Sequence, residues 1–407
     1  MIKSELFNVL NNIAIKVFGV LAAFYFTFIV ASKADDDVSG EFFFYVNVIT
    51  FLSALLRFGT DTYLIKFISS VGEKYKSIRS AQVSSVFVII TSLEVLLSVP
   101  LCIFLYKSGS NLLDVFLVVF SIYLQSVYVV FCNILFGVGR SSLASFLINA
   151  YIYVSFIVVF YLHQESTLTF LLIYYVSALS SSLFISAFLV HRIVPFVIIF
   201  KCKHLNLLIA KLVPYFMFSL FDQLNKWYPL IFCKFFVLNS IYSVITVSHR
   251  YSLFVSMIAI VSAPIFSRRV SKAKSKLLDV EVFSLVCKLV LSIFTASFII
   301  FVLTSLFSEI IISFINEEFT SHSNIFVIFG VVGVAYSCYF FSYNLMMMLG
   351  MQNDVRKIVF YSFFVSNVLS MPVLAISPEY FVPAFIAVGS VFSTVMMFLA
   401  YRRRLHL

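Results

Sequence analysis

Charge is what this sequence has least of. Of its 407 residues only 11% are Asp, Glu, Lys or Arg, and 62% are hydrophobic. A soluble domain averages about 25% charged residues, so a water-soluble fold is excluded at the outset. Other absences narrow the chemistry. There is no G-x-x-x-x-G-K-[ST] loop to cradle nucleotide phosphates, which excludes a chain that powers itself with ATP. There is no H-E-x-x-H, and His163, His191, His204, His249, His322 and His406 show no ligand spacing. There is no G-x-S-x-G nucleophile turn. The six cysteines, Cys102, Cys132, Cys202, Cys233, Cys287 and Cys338, never form C-x-x-C and read as small apolar packing residues. The reading is therefore a non-enzyme with no catalytic residue, no metal and no cofactor.

What is there is a succession of apolar runs separated by short polar breaks. About 20 apolar residues cross a hydrocarbon core of about 30 Å as a helix. The ~10-residue segments of alternating polarity that a membrane β-barrel needs are missing. The hydropathy pattern predicts twelve spans, at 6–30, 42–68, 81–106, 112–136, 143–162, 168–190, 212–237, 243–267, 284–307, 325–348, 358–376 and 382–400. The start lacks an A-x-A-like cleavage site and reads as a retained first helix.

The breaks alternate in character. One set, which holds "GEKYKSIRS", "SRRVSKAKSKLLD" and the tail "YRRRLHL", carries 19 of the 28 Lys and Arg residues together with the amino terminus. The other set carries two, Lys33 and Lys107. Positive charge marks the cytoplasmic side, so both termini are expected inside. The net charge of +10 is then largely a matter of topology and does not point to nucleic acid. The long cytoplasmic connection 191–211 divides the chain into an amino-terminal lobe, 1–190, and a carboxy-terminal lobe, 212–407, of six spans each. Similar features fall at corresponding places in the two halves. Asn12 and Lys16 match Asp222 and Lys226, and "NILFGVGR" matches "NLMMMLGMQNDVR". A repeat with an even number of spans is parallel, about an axis along the membrane normal.

Charges within the spans are the functional signal, because an ionised side chain facing lipid is costly and one facing an internal cavity is not. Lys16 in the first span and Arg250 in the eighth have no acidic neighbour in sequence. Arg57 and Asp61 are four apart, as are Asp222 and Lys226; Lys66 follows in the second span, and Lys234 lies near the outer end of the seventh. Each four-residue pair also reads as a mutually neutralising pair, and a helix break at Gly59 would instead leave Arg57 and Asp61 at the cytoplasmic mouth. The carboxylates Asp61, Glu94 and Asp222 are candidates for carrying a coupling proton. Pro229 is expected to break the seventh span and serve as a hinge. Cations exceed carboxylates in the spans, so the interior is read as net positive and suited to an anionic cargo. Phosphate is the anionic group expected on a membrane-borne cargo, and Arg binds it through two parallel hydrogen bonds.

Twelve spans, a six-plus-six repeat, short outer loops and a cationic interior resemble the MOP exporter superfamily, and within it the Wzx-type flippases of bacterial polysaccharide clusters. "LLRFGTDTYLIKFIS" after the second span, "NILFGVGRSS" after the fourth and "SAPIFSRRVSK" closing the eighth carry the likeness. The resemblance implies an all-α, V-shaped molecule of two six-helix lobes around a central cavity. It implies an undecaprenyl-diphosphate-linked oligosaccharide turned from the cytoplasmic to the periplasmic leaflet of a bacterial inner membrane. Polymerase and chain-length proteins of the same pathway would be partners. Related lipid II flippases line their cavity with basic residues from the first, second and eighth helices, which here carry Lys16, Arg57 and Arg250, with Lys66 and Lys226 as further candidates. Two other readings are weighed against it. A cation-coupled drug exporter of the same superfamily fits a positive interior poorly. A polysaccharide polymerase or glycosyltransferase lacks its large outer loop here, since the longest outer break is 308–324, and the run Asp35, Asp36, Asp37 sits in a short solvated loop.

The topology is testable directly. A periplasm-active reporter fused after Leu407 is expected to be silent, and one inserted within 31–41 to be active; the opposite pattern overturns the orientation and the parallel repeat with it.

Overall fold

The computed structural model describes residues 2–70, 76–107, 109–193, 205–274 and 279–404. Among these residues every regular element is helical. The first spans are α1 (Ile2–Lys33), α2 (Asp36–Leu56), α3 (Thr60–Ser70), α4 (Lys76–Lys107) and α5 (Leu112–Gly137). After α6 (Ser141–Phe146) a π-helical turn at Leu147–Tyr151 leads into α7 (Ile152–His163), α8 (Leu168–Ile193) and α9 (Leu205–Cys233). Then come α10 (Asn239–Val255), α11 (Met257–Lys274), α12 (Asp279–Ser305), α13 (Ser308–Ile315), α14 (Ser323–Met348), α15 (Gln352–Ile376) and α16 (Phe381–Arg404).

Ten helices among the described residues are long and apolar enough to cross a membrane, and α10 with the start of α11, bent by 45° at Ser256, makes an eleventh if counted as one span. The sequence predicts twelve. The difference lies in α9, where the seventh span is expected: its described apolar stretch is Leu208–Met217. Asp222, Gln223, Asn225 and Lys226 dilute the rest. Of the expected connection 191–211, residues 194–204 lie outside the described residues, and the flanks belong to α8 and α9.

The stretch 42–68 is not one helix. Phe58 and Gly59 have φ of 46° and 73°, a left-handed step that ends α2 and starts α3. The backbone groups released there are satisfied locally: the Phe58 N–H donates to the Leu55 carbonyl at 2.9 Å, and the Thr60 N–H to the Arg57 carbonyl at 2.8 Å. The Phe58 ring stacks on Phe216 of α9 with centroids 4.2 Å apart. Gly59 sits so close to that helix that a Cβ would lie 2.4 Å from the Phe216 nitrogen. The outer break 308–324, expected as loop, contains α13 and a 3₁₀ turn at Glu317–His322.

The chain forms two compact units, Met1–Gly40 with Leu224–Leu407, and Glu41–Gln223. It passes from one to the other within α2 and again within α9. In the unit Glu41–Gln223, α5 is the central helix and packs against α3, α4, α6 and α8. Its Tyr128 is fully buried and donates its hydroxyl to the Leu147 carbonyl at the π-helical turn. In the other unit α14 is central, against α10, α11, α12 and α16. The first helix, grouped by sequence with the amino-terminal lobe, packs here on α10 and α11. The glycine turns that the sequence pairs between the halves share a left-handed conformation, at Gly139 (φ 89°) after α5 and Gly350 (φ 79°) after α14.

Gly40 and Gly139 separate two costs. A Cβ on Gly40 would stand 2.0 Å from the main-chain oxygen of Asn239 on α10, whereas one on Gly139 would meet nothing within 4 Å. Gly139→Ala is expected to lose only the left-handed preference, about 1–2 kcal/mol. Gly40→Ala must push two backbones apart and is expected to lower the thermal midpoint in detergent further. Equal midpoints would mean that α2 and α10 have slack.

Candidate functional site

The candidate charges fall into two kinds, those satisfied by an opposite charge and those that are not. Arg57 follows the last residue of α2 and is buried. Its Nε donates to both carboxylate oxygens of Asp61 at 2.9 and 3.0 Å, and its Nη1 to the Ser53 hydroxyl at 3.4 Å. The Asn133 amide on α5 donates to Asp61 Oδ1 at 2.7 Å. Asp61 stands in the first turn of α3. A cation at the end of one helix and an anion at the start of the next each complement the local helix dipole. The four-residue spacing is thus realised across the helix break, as a neutral pair stitched to α5. Lys66, farther along α3, is exposed.

In the unit Met1–Gly40 with Leu224–Leu407 the cations are met differently. Lys16 on α1 is half-buried and donates to the Ile260 carbonyl of α11 at 3.5 Å. Arg250 on α10 is half-buried, with its guanidinium 5.9 Å from the ring centre of Trp227. A cation over an indole is worth roughly 0.5–2 kcal/mol and leaves the charge uncompensated. Neither Lys16 nor Arg250 has a carboxylate partner among the described residues. Ile260 lies ten residues beyond Arg250, across the bend at Ser256, so the two cations meet α10 and α11 at separate points.

His249, next to Arg250, is buried, and its Nδ1 has no hydrogen-bond partner among the described residues. The ring makes edge contacts with Trp227 and Phe329, centroids 6.2 Å from each. Sequence reasoning passed over both His249 and Trp227, because nothing in a linear pattern says that α9 and α10 bring an indole to an arginine. Lys234 lies over the Tyr242 ring at 5.5 Å.

The remaining candidates are dispersed. Asp222 and Lys226 are both half-buried on α9, and Asp222 accepts from the Gln223 amide at 3.5 Å. Glu94 on α4 has one carboxylate oxygen, Oε2, buried without a hydrogen-bond partner among the described residues. Pro229 does not interrupt α9, which continues through it to Cys233. The hydrogen bond that the proline forgoes is the one back to the Asn225 carbonyl, with four helical residues still to follow. The bend in this region is instead at Ser256, between α10 and α11. Among the described residues no three His, Cys, Asp or Glu side chains are placed to hold a metal ion.

The neutral pair predicts a specific coupling. Asp61→Asn and Arg57→Gln are each expected to lower the thermal midpoint, and the double variant to recover part of the loss, a coupling of roughly 1–3 kcal/mol. Additive losses would mean that the two charges are not compensating each other.

No protein-family profile matches the sequence, and no curated protein is similar to it. Solved structures are similar over nearly the whole chain. A MATE-family multidrug resistance transporter of the MOP superfamily, in its inward-facing conformation, superposes with a TM-score of 0.75 at 12% identity, over 98% of each chain. The lipid II flippase MurJ, in an inward closed conformation, gives 0.75 at 14% identity, over 97% of this chain and 87% of that one. A MOP superfamily transporter from Pyrococcus furiosus, whose reverse pocket polarity was taken to suggest a different function, gives 0.65 at 11% identity over 98% and 95%. The fold is that of MOP superfamily transporters.

Proposed function

We propose that the chain is a flippase for a lipid-linked oligosaccharide carried on undecaprenyl diphosphate, moving it between the leaflets of a bacterial inner membrane by alternating access. The observation that carries this reading is that Lys16 and Arg250 have no carboxylate partner among the described residues. Both lie within apolar candidate spans, where an ionised side chain is expensive and is kept for a ligand, an ion path or an opposite charge. Lys16 has only a main-chain oxygen and Arg250 only a ring. A diphosphate brings the missing negative charge. Opposite charges about 4 Å apart attract by about 4 kcal/mol at an effective dielectric near 20, enough to select an anionic head group. Two cations at separate points let that group be passed on in steps, where a single tight cluster would trap it.

The cation-coupled drug exporter is disfavoured by the same two residues, since two uncompensated positive charges repel a cationic drug. Arg57 takes a lesser part in this proposal than the sequence assigns it, because Asp61 already answers its charge.

Reconstitution tests the reading. Purified protein in vesicles with a labelled undecaprenyl-diphosphate sugar is expected to transfer label between leaflets. Arg250→Gln or Lys16→Gln is expected to slow transfer by tenfold or more at an unchanged thermal midpoint, and Arg250→Glu to abolish it. Arg57→Gln should lower the midpoint as well as the rate. Wild-type transfer by both Arg250→Gln and Lys16→Gln would sink the proposal.

A further inference from the structure

A second feature lies on the other side of α14 from α10. There α12, α14 and α16 enclose an apolar groove of about 320 Å³, lined among others by Phe294, Phe298, Ala335, Cys338, Val391 and Val395. This is the lower end of the size of small-ligand pockets, ~300–1,000 Å³. Its rim faces outward: Phe294 is 43% exposed, Phe298 46%, Val395 50% and Val391 54%. In a membrane that rim meets hydrocarbon. Toward the carboxy-terminal end of α16 the groove closes where Phe283 of α12 meets Phe398 and Tyr401, centroids 6.3 and 5.6 Å apart.

Outside that closure, α16 carries an apolar surface track that leads from the groove toward its carboxy-terminal end. Val391, Val395, Leu399 and Arg402 follow one another at helical spacing on one face, and Leu399 is itself exposed. Arg402, Arg403 and Arg404 form the basic last turn. From Arg402 to Val391 is eleven residues, about 16 Å of helix. Half of a bilayer core is about 15 Å. The surface therefore offers a cation at head-group level and an apolar slot at chain-end level, one leaflet deep.

We propose that this groove binds one acyl chain of an anionic phospholipid whose phosphate rests on Arg402, in the leaflet where α16 ends. The cation selects a charged head group over a zwitterionic one. The slot is sized for a hydrocarbon chain and not for a helix of another protein. The site is independent of Lys16 and Arg250, and its readout is lipid retention and not transport.

Native mass spectrometry of the full chain in detergent, titrated with phosphatidylglycerol and with phosphatidylcholine, tests it. One phosphatidylglycerol is expected to be retained at least tenfold more tightly than phosphatidylcholine. Ala335→Trp or Val395→Trp, which fill the slot, should reduce retention tenfold or more, while Arg402→Gln should keep retention and lose the preference. Photoactivatable phosphatidylglycerol should label the unaltered protein within 331–338 and 391–395, which keeps the test valid if the Trp variants do not fold. Labelling confined elsewhere, wild-type retention by folded Trp variants, or equal retention of the two lipids each overturns the proposal. Tighter retention of undecaprenyl phosphate than of phosphatidylglycerol overturns it in favour of a polyprenyl tail.

Discussion

Backbone N–H and C=O groups released by a helix break must find new partners inside the protein, and much of this molecule is arranged around that requirement. It is clearest between α2 and α3. A left-handed step at Phe58 and Gly59 interrupts the helix, and a buried amide or carbonyl left unsatisfied there would cost about 1–3 kcal/mol. The tight turns from Leu55 to Phe58 and from Arg57 to Thr60 remove that cost. The break then becomes useful. It exposes the end of one helix dipole and the start of another, and Arg57 and Asp61 occupy those two ends as a pair bridged to α5 through Asn133. The charged stretch that looks out of place in an apolar run is the fastening of a broken helix to the centre of its unit.

Polar contacts also help hold the helices together. Lipid tails are as apolar as leucine, so packing rests on close approach and on small polar contacts. Serine supplies many of them: Ser39 to Ser243 at 2.8 Å, Ser297 to Ser337 at 2.9 Å, and Ser362 to the Gly389 carbonyl at 3.1 Å. Glycine permits the closest approaches, with Gly333 set against the Ser252 carbonyl. These contacts are individually modest, yet they join helices far apart in sequence, and they hold α10, α12 and α16 to their neighbours.

Hydropathy made most of the spans legible, because length and apolarity are local properties. The interruptions were less so. The step at Gly59 has a glycine to announce it, but the bend at Ser256 has neither proline nor glycine, and Pro229, which does announce a break, does not interrupt α9. Of the site, Arg57 with Asp61 was legible from spacing alone. The setting of Arg250 was not: Trp227 and His249 reach it from packing between helices, which no periodicity reports. The small amphipathic α13 was hidden because eight residues are too few to register as a span.

The pairing of Arg57 with Asp61 also has an electrical consequence. A membrane voltage acts on net charge, at about 2.3 kcal/mol per elementary charge per 100 mV. The Arg57–Asp61 unit carries none, so the resting potential of a cell exerts on it only the weak torque felt by a short dipole. Lys16 and Arg250 carry net charge, and a displacement of their helices along the field would couple to the potential in proportion to the fraction of the field crossed. The molecule thus holds one set of charges that is blind to voltage and another that is not.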